Sequence, residues 1–350
     1  MTEGKDWVTP PKVERGDRVA ILSPSWAGAG VFPEVHEIGL RVLREHFDLV
    51  PVEYPSTRRV GSTPQERADD LHAAFLDSSI KAVLAVIGGS DQLTVLPHLN
   101  PDLLGQNPKA FVGYSDNTNL LNYLWNLGLS SYHGGSTLVH LARPGGPHDV
   151  SMSSLHHALF DRGIFEISPV ENFTDLHCRW EDLSTLRQPL PTTRDEGWHW
   201  NNADQVITGV TWGGNLEILH WNLAANRWIQ PVDTYAGCIL LLETSEEMPS
   251  ADEVFRMLRN FGERGLLQKF PAIVMAKAKA WNSTTPLTDS ERHHFRHSQR
   301  DAVLRALETY NPDALFVYGP DFGHTDPQYV LPYGSLMTVN GPERRLFAHY

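Results

Sequence analysis

Residues 81–87 read Lys-Ala-Val-Leu-Ala-Val-Ile and stop at Gly88-Gly89. A continuous apolar run of this length gives no face to water, so it predicts a strand buried on both sides, as in a parallel sheet. Its neighbours alternate accordingly. Asp17 to Leu22 predicts a strand ending at Ser23-Pro24-Ser25, Glu34 to His46 a helix, and Phe47 to Val52 a second strand. Thr63-Pro64-Gln65-Glu66 combines a capping box with proline at the first helical position and opens a helix to about Asp77. The class is α/β: an open sheet whose loops after Ser23, Gly88-Gly89 and Ser115 gather at one edge, where such folds bind ligands.

The third of those loops carries chemistry. Lys109 to Val112 is a short apolar run, Gly113-Tyr114-Ser115-Asp116 a tight turn, and apolar residues at helical spacing follow. Ser115 therefore sits on a strand-to-helix elbow, a placement that exposes a nucleophilic hydroxyl and points helix N-terminal N–H groups at a developing oxyanion. Ser115 and Asp116 also suit plain helix capping. Gly113 and the aromatic before the serine favour the sharp turn. Gly88-Gly89-Ser90-Asp91 lacks both the Gly-x-Gly-x-x-Gly spacing and a Gly-Lys-Ser/Thr ending, so a glycine N–H serving as an oxyanion donor fits it better than a phosphate loop.

At 350 residues, two domains of ordinary size are expected. We divide the chain into an N-terminal domain over 1–164, a linker and substrate-binding loop over 165–205 where periodicity fades, and a C-terminal domain over 206–350. In the last, strands are read at 206–210, 237–243, 272–276 and 314–318. Helices follow Gly213-Gly214-Asn215, start at the Ser250 capping box, and run from Asp289 to about Thr309. No stretch is apolar enough to span a bilayer, and Met1 to Lys12 shows no secretory pattern, so a cytoplasmic protein is expected. A net charge of −13 disfavours a nucleic-acid polymer as partner. Cys178 and Cys238, far apart, read as reduced thiols rather than a disulfide or zinc pair.

With 17 histidines, context must select a base. His293 and His297 stand four apart on a helix, but arginines flank them and no zincin glutamate is present, so the pair reads as a solvated face. His156 and His157 read as helix surface or core edge. No metal and no cofactor are expected. His324 lies in a glycine- and proline-framed loop, Gly319 to Pro327, just after an apolar strand. Glu243 ends a buried strand, where an acid requires a cation or donor in answer. Ser115, His324 and Glu243 then compose nucleophile, base and orienting carboxylate.

Ile87-Gly88-Gly89, Gly113-Tyr114-Ser115-Asp116, Leu241-Leu242-Glu243 and Asp321-Phe322-Gly323-His324-Thr325 together resemble the LD-carboxypeptidase family of serine peptidases, which includes the microcin C self-immunity peptidases. The resemblance implies a flavodoxin-like N-terminal domain, a C-terminal α/β domain with a swivelling sheet, and a homodimer. It implies the same Ser115, Glu243 and His324 triad, with the N–H groups of Gly89 and Asp116 as the oxyanion hole. The middle of the chain is similar to the immunity-type branch, where a loop tryptophan stacks on adenine. Trp180 is the nearest match, with Trp198 and Trp200 as alternatives. Gly88 and Asn215, in matched stretches, and Glu247 complete the candidate substrate contacts. Where aspartyl-handling enzymes of that branch carry a lysine, this chain has Ser245-Glu246-Glu247, so a neutral or basic acyl residue is expected. The leading function is hydrolysis of an amide in a peptidyl- or aminoacyl-nucleotide antibiotic. The alternatives are removal of D-alanine from a murein tetrapeptide and a non-catalytic ligand-binding protein.

Overall fold

The computed structural model describes residues 7–350; the first six residues of the Met1–Lys12 stretch lie outside the described residues. The first sheet has six strands in the order Leu331–Tyr333, Ser131–His133, Ala110–Gly113, Ile80–Ala85, Arg18–Leu22, Val50–Glu53. The last five are mutually parallel and, numbered along the chain, follow the flavodoxin-like order. The apolar run around Val83 occupies the middle, buried on both faces as its composition requires. Its helices begin where the signals stand: Thr63 and Glu66 close a reciprocal capping box over Pro64–Leu76. One boundary moves, because Phe47 is the last residue of helix Pro33–Phe47. Asp48 ends that helix in the left-handed region (φ 52°), and the second strand starts at Val50.

The second sheet has eight strands, ordered Ile164–Ile167, Arg345–His349, Leu336–Asn340, Val206–Asn215, Ile239–Glu243, Ala272–Met275, Leu315–Tyr318, His199–Asn201. The four from Val206–Asn215 to Leu315–Tyr318 are parallel, and both flanks are antiparallel. Segment 165–205 is thus more than a linker: it supplies most of one edge strand and all of the other, plus a two-stranded hairpin, Asn172–Phe173 with Thr193–Arg194. The C-terminal part also returns Leu331–Tyr333 to the first sheet, antiparallel to Ser131–His133.

The two sheets share an aromatic seam. Trp125, from helix Thr118–Asn126, stacks on Tyr235 at 5.4 Å and donates its indole N–H to the Thr211 carbonyl at 3.1 Å. Trp212 and Phe270 lie nearly parallel at 5.7 Å, both fully buried. Offset aromatic packing of this kind adds to ordinary burial and holds one sheet against the other. Among the described residues, no helix is long and apolar enough to cross a membrane.

Candidate active site

Ser115 follows strand Ala110–Gly113 and opens a short 3-10 turn that runs into helix Thr118–Asn126. Its φ is +61°, a region costly for a residue with a Cβ and concentrated at functional sites. The capping reading of this turn fails, since neither Tyr114 nor Asn117 at the two N-cap positions makes a side-chain cap. The strain is held by a buried network. Gln92 donates to Asn117 Oδ1 at 2.7 Å and accepts from the Leu120 N–H at 2.9 Å. Asp116, buried behind the serine, accepts from the Gln92 N–H and from Asn119, each at 2.9 Å, and from the Ser25 hydroxyl. Burial raises its carboxyl pKa above the ordinary value. Gly88 packs directly on the elbow: a Cβ there would stand 3.0 Å from Ser115 Oγ and 2.9 Å from its Cβ.

Glu243 ends strand Ile239–Glu243 with no exposure to solvent. His324 Nδ1 lies 2.6 Å from Glu243 Oε2. The loop bearing His324 reaches this far because Gly323 has no side chain; a Cβ there would meet Ala276 Cβ at 3.0 Å and Glu243 Cβ at 3.1 Å. Asp321, bound to Lys277 at 2.7 Å, and Gln328, donating to the Gly323 carbonyl at 2.6 Å, fix the loop from both ends. His324 Nε2 faces a second carboxylate, Glu246 Oε2, at 3.1 Å. Burial opposes the imidazolium, but the charge of Glu243, then that of Glu246, outweighs it and pushes His324 up to about 9. Glu246 is held in turn below the ordinary carboxylate range: burial works against its charge, and the His324 imidazolium, a backbone N–H and the Lys279 ammonium together outweigh it. Lys279, almost fully buried, donates to the His324 carbonyl at 3.2 Å, and burial brings it down to about 8.

A cavity of about 350 Å³ collects most of these groups. Ser115, His324, Gly88, Gly89 and Trp180 all line it, Glu243 stands behind His324, and Asp116 behind Ser115. Several of its walls, Trp26, Tyr114, His177 and Glu246 among them, were not singled out individually as ligand contacts in the sequence. Trp26 follows Ser23-Pro24-Ser25, in a loop placed at the sheet edge by the strand pattern, and that position was the available signal. The rings of Trp26, Phe32 and Trp180 form an edge-to-face series, at 6.1 and 5.2 Å.

Four candidates fall elsewhere. Asn215 is a buried helix cap: its side chain accepts from the Ile218 N–H, its own N–H donates to Thr118 Oγ1, and it does not line the cavity. Glu247 is exposed and outside the lining, its N–H turned to Ser245 Oγ, so Glu246 takes the place foreseen for it. Trp198 and Trp200 flank the strand Leu315–Tyr318 rather than the cavity. Glu217 was not anticipated. It accepts from the Ser245 N–H and hydroxyl, and burial, then the neighbouring Glu243 charge, raises it to about 7.

Comparison with known proteins gives the family and the fold. The LD-carboxypeptidase N-terminal domain model matches residues 19–134, and the LD-carboxypeptidase C-terminal domain model matches residues 208–339. The chain is 33% identical to the murein tetrapeptide carboxypeptidase of Pseudomonas aeruginosa over 337 residues, 94% of each chain. It is 24% identical to the microcin C7 self-immunity protein MccF of Escherichia coli over 282 residues, 79% of this chain and 76% of that one. The solved structure of MccF with aspartyl sulfamoyl adenosine superposes with a TM-score of 0.84 at 20% identity, covering 98% of both chains. An MccF-like protein from Streptococcus pneumoniae in complex with AMP gives 0.83 at 23% identity, over 95% of this chain and 99% of that one. At these identities the structural likeness is one of fold.

Proposed function

Because this chain belongs to the LD-carboxypeptidase family, we propose that it hydrolyses an amide bond through an acyl-enzyme on Ser115. His324 takes the Ser115 proton and later activates water, and Glu243 fixes the imidazole and stabilises its charged form. The N–H groups of Gly89 and Asp116 receive the oxyanion. The observation that carries this reading is one cavity lined by a serine held at positive φ and by a histidine seated 2.6 Å from a buried carboxylate.

We further propose that the substrate is a peptidyl or aminoacyl nucleotide of the microcin C type, acted on by a cytoplasmic homodimer. Trp26 and Trp180 offer aromatic faces that grip a base without cationic side chains. Relatives such as MccF support this choice. A second reading, a murein tetrapeptide as substrate, is favoured by the 33% identity to the Pseudomonas enzyme along almost the whole chain.

A chromatographic assay offering an aminoacyl sulfamoyl adenosine and a murein tetrapeptide separates the two. Cleavage of the nucleotide, with KM raised by Trp180→Ala, supports the first; cleavage of the tetrapeptide alone, indifferent to Trp180→Ala, supports the second. Failure of a fluorophosphonate to label Ser115 in folded protein would remove the catalytic reading altogether.

A further inference from the structure

We propose that Glu196, His199 and His297, with His293 beside them, form a binding site for one borderline divalent metal ion, of the zinc class. The site lies apart from the cavity of Ser115: it lines a separate hollow, and no residue is common to the two. His293 and His297 lie four residues apart on helix Asp289–Tyr310 with rings stacked at 4.1 Å, so both present nitrogen on one face. That spacing alone is ambiguous, and the fold supplies what the sequence lacked. Strand His199–Asn201 and the turn before it bring two more donors over the helix, from residues about 100 positions away in the chain.

The distances suit an ion. Glu196 Oε1 is 2.9 Å from His293 Nε2, and Glu196 Oε2 is 3.3 Å from His297 Nε2. Tetrahedral zinc with bonds of about 2.0–2.1 Å to nitrogen and oxygen separates adjacent ligand atoms by about 3.3–3.4 Å. Each carboxylate oxygen therefore stands from its own imidazole nitrogen at nearly the length of one such edge. One donor atom each from Glu196, His199 and His297 also lie within 4.8 Å of one another. Two imidazoles and a carboxylate, with the His293 imidazole next to them, are a borderline donor set, which selects zinc, nickel, copper or cobalt over calcium or magnesium.

The flanking arginines, the reason to read this helix as a plain solvated face, are each already answered. Arg292 pairs with Asp289, Arg296 with buried Asp175 at 2.7 Å, and Arg300 with Asp301 at 2.7 Å. Arg300 also approaches His199 Nδ1 at 3.5 Å, a long contact it gives up in favour of Asp301 when that ring turns to metal. Binding would staple the segment around Glu196 to the helix. Asp195, next in the chain, holds Lys277, which holds Asp321 at the root of the His324 loop, so the stapled segment is continuous with the catalytic scaffold.

The test uses the full chain, stripped by chelator and titrated with cobalt, then zinc. The proposal expects one equivalent bound, the intense visible absorption of tetrahedral cobalt, and its loss on adding zinc. Affinity falls at least tenfold in Glu196→Gln and in His297→Ala, and stays unchanged in a His156→Ala/His157→Ala variant at the other histidine cluster. Folding is not at issue, because Glu196 and His297 side chains are 55% and 33% exposed. As an internal check, zinc raises the unfolding midpoint of the unaltered chain and not that of the two ligand variants. Absence of saturable uptake, a weak six-coordinate cobalt spectrum, or binding that survives Glu196→Gln and His297→Ala would overturn the proposal.

Discussion

Replacing Glu246 by glutamine should speed the reaction of Ser115 at neutral pH. Under the proposed mechanism His324 Nε2 receives the serine proton, and in the structure that nitrogen faces Glu246 Oε2 at 3.1 Å, while Nδ1 is engaged by Glu243. Two carboxylates on one ring favour the imidazolium, which cannot act as a base, and they push the group up to about 9. At pH 7 such a group is deprotonated in about one molecule in a hundred. Unit charges 3.1 Å apart interact by about 1.3 kcal/mol at the permittivity of water and about 2.7 kcal/mol at half of it. The Glu246 side chain is 52% exposed, so that screened range applies and not the value for a buried pair.

Removing the charge then lowers the His324 pKa by about 1–2 units, and the reactive fraction at pH 7 rises by roughly 10- to 50-fold. The assay is the rate of fluorophosphonate labelling of Ser115 against pH, which requires no knowledge of the substrate. The midpoint of the rising limb should move to lower pH in Glu246→Gln, with the plateau at high pH little changed. A midpoint that stays put, or moves up, would refute the claim that Glu246 holds the proton on His324.

Three further outcomes follow from the same geometry. Gly88→Ala places a Cβ 3.0 Å from Ser115 Oγ, so labelling should slow by about 100-fold or more while the thermal midpoint falls by only a few degrees; equal labelling would show that the elbow yields. Ser115→Gly abolishes labelling yet should raise stability by about 1 kcal/mol in denaturant unfolding, because glycine adopts φ +61° without a Cβ penalty. His133 and His140 are buried and pushed by lost hydration down to about 4 and about 3. The unfolded chain protonates them near 6.5 and the folded chain does not, so stability is lost as pH falls from 6.5 toward 4. His140→Gln should flatten that decline in scanning calorimetry, and a midpoint constant across the window would contradict the assignment.

What the sequence made legible was local. The apolar run ending at Gly88-Gly89, the Gly113–Asp116 turn and the acid closing Ile239–Glu243 each declare their conformation within a few residues, and they locate the parallel strands and the elbow. The misses need partners. Strands Ile164–Ile167 and His199–Asn201 are short and half exposed at sheet edges, so alternation is weak and pairing alone defines them. Leu331–Pro332–Tyr333 carries a proline tolerable only on an edge, and it joins a sheet some 200 residues upstream. Glu246 and Glu247 cannot be told apart by type; only the course of the loop after Glu243 sends one toward His324 and the other to solvent. Asn215 illustrates the opposite error. Its residue type fits a ligand contact, and its place at a helix start makes it a cap.

Glu246 also sets an expectation about the acyl group. Under the proposed mechanism, His324 Nε2 has two suitors, the Ser115 hydroxyl and Glu246, and only the first leads to chemistry. A substrate ammonium entering the cavity does two things at once: it pairs with Glu246, and it draws that carboxylate away from the imidazole. A substrate carboxylate does neither, and it meets like charge at Glu246, while the buried amine beside His324, Lys279, is engaged by the His324 carbonyl and does not line the cavity. A screened charge contact of about 1–2 kcal/mol, favourable in one case and unfavourable in the other, amounts to a preference of roughly 30- to 1000-fold in kcat/KM. Lysyl and aspartyl sulfamoyl adenosine, compared at equal pH, measure it directly, and Glu246→Lys should invert the order. Equal turnover of the two analogues by the unaltered enzyme would mean that Glu246 leaves the cavity before the acyl group arrives, and the charge argument would fail with it.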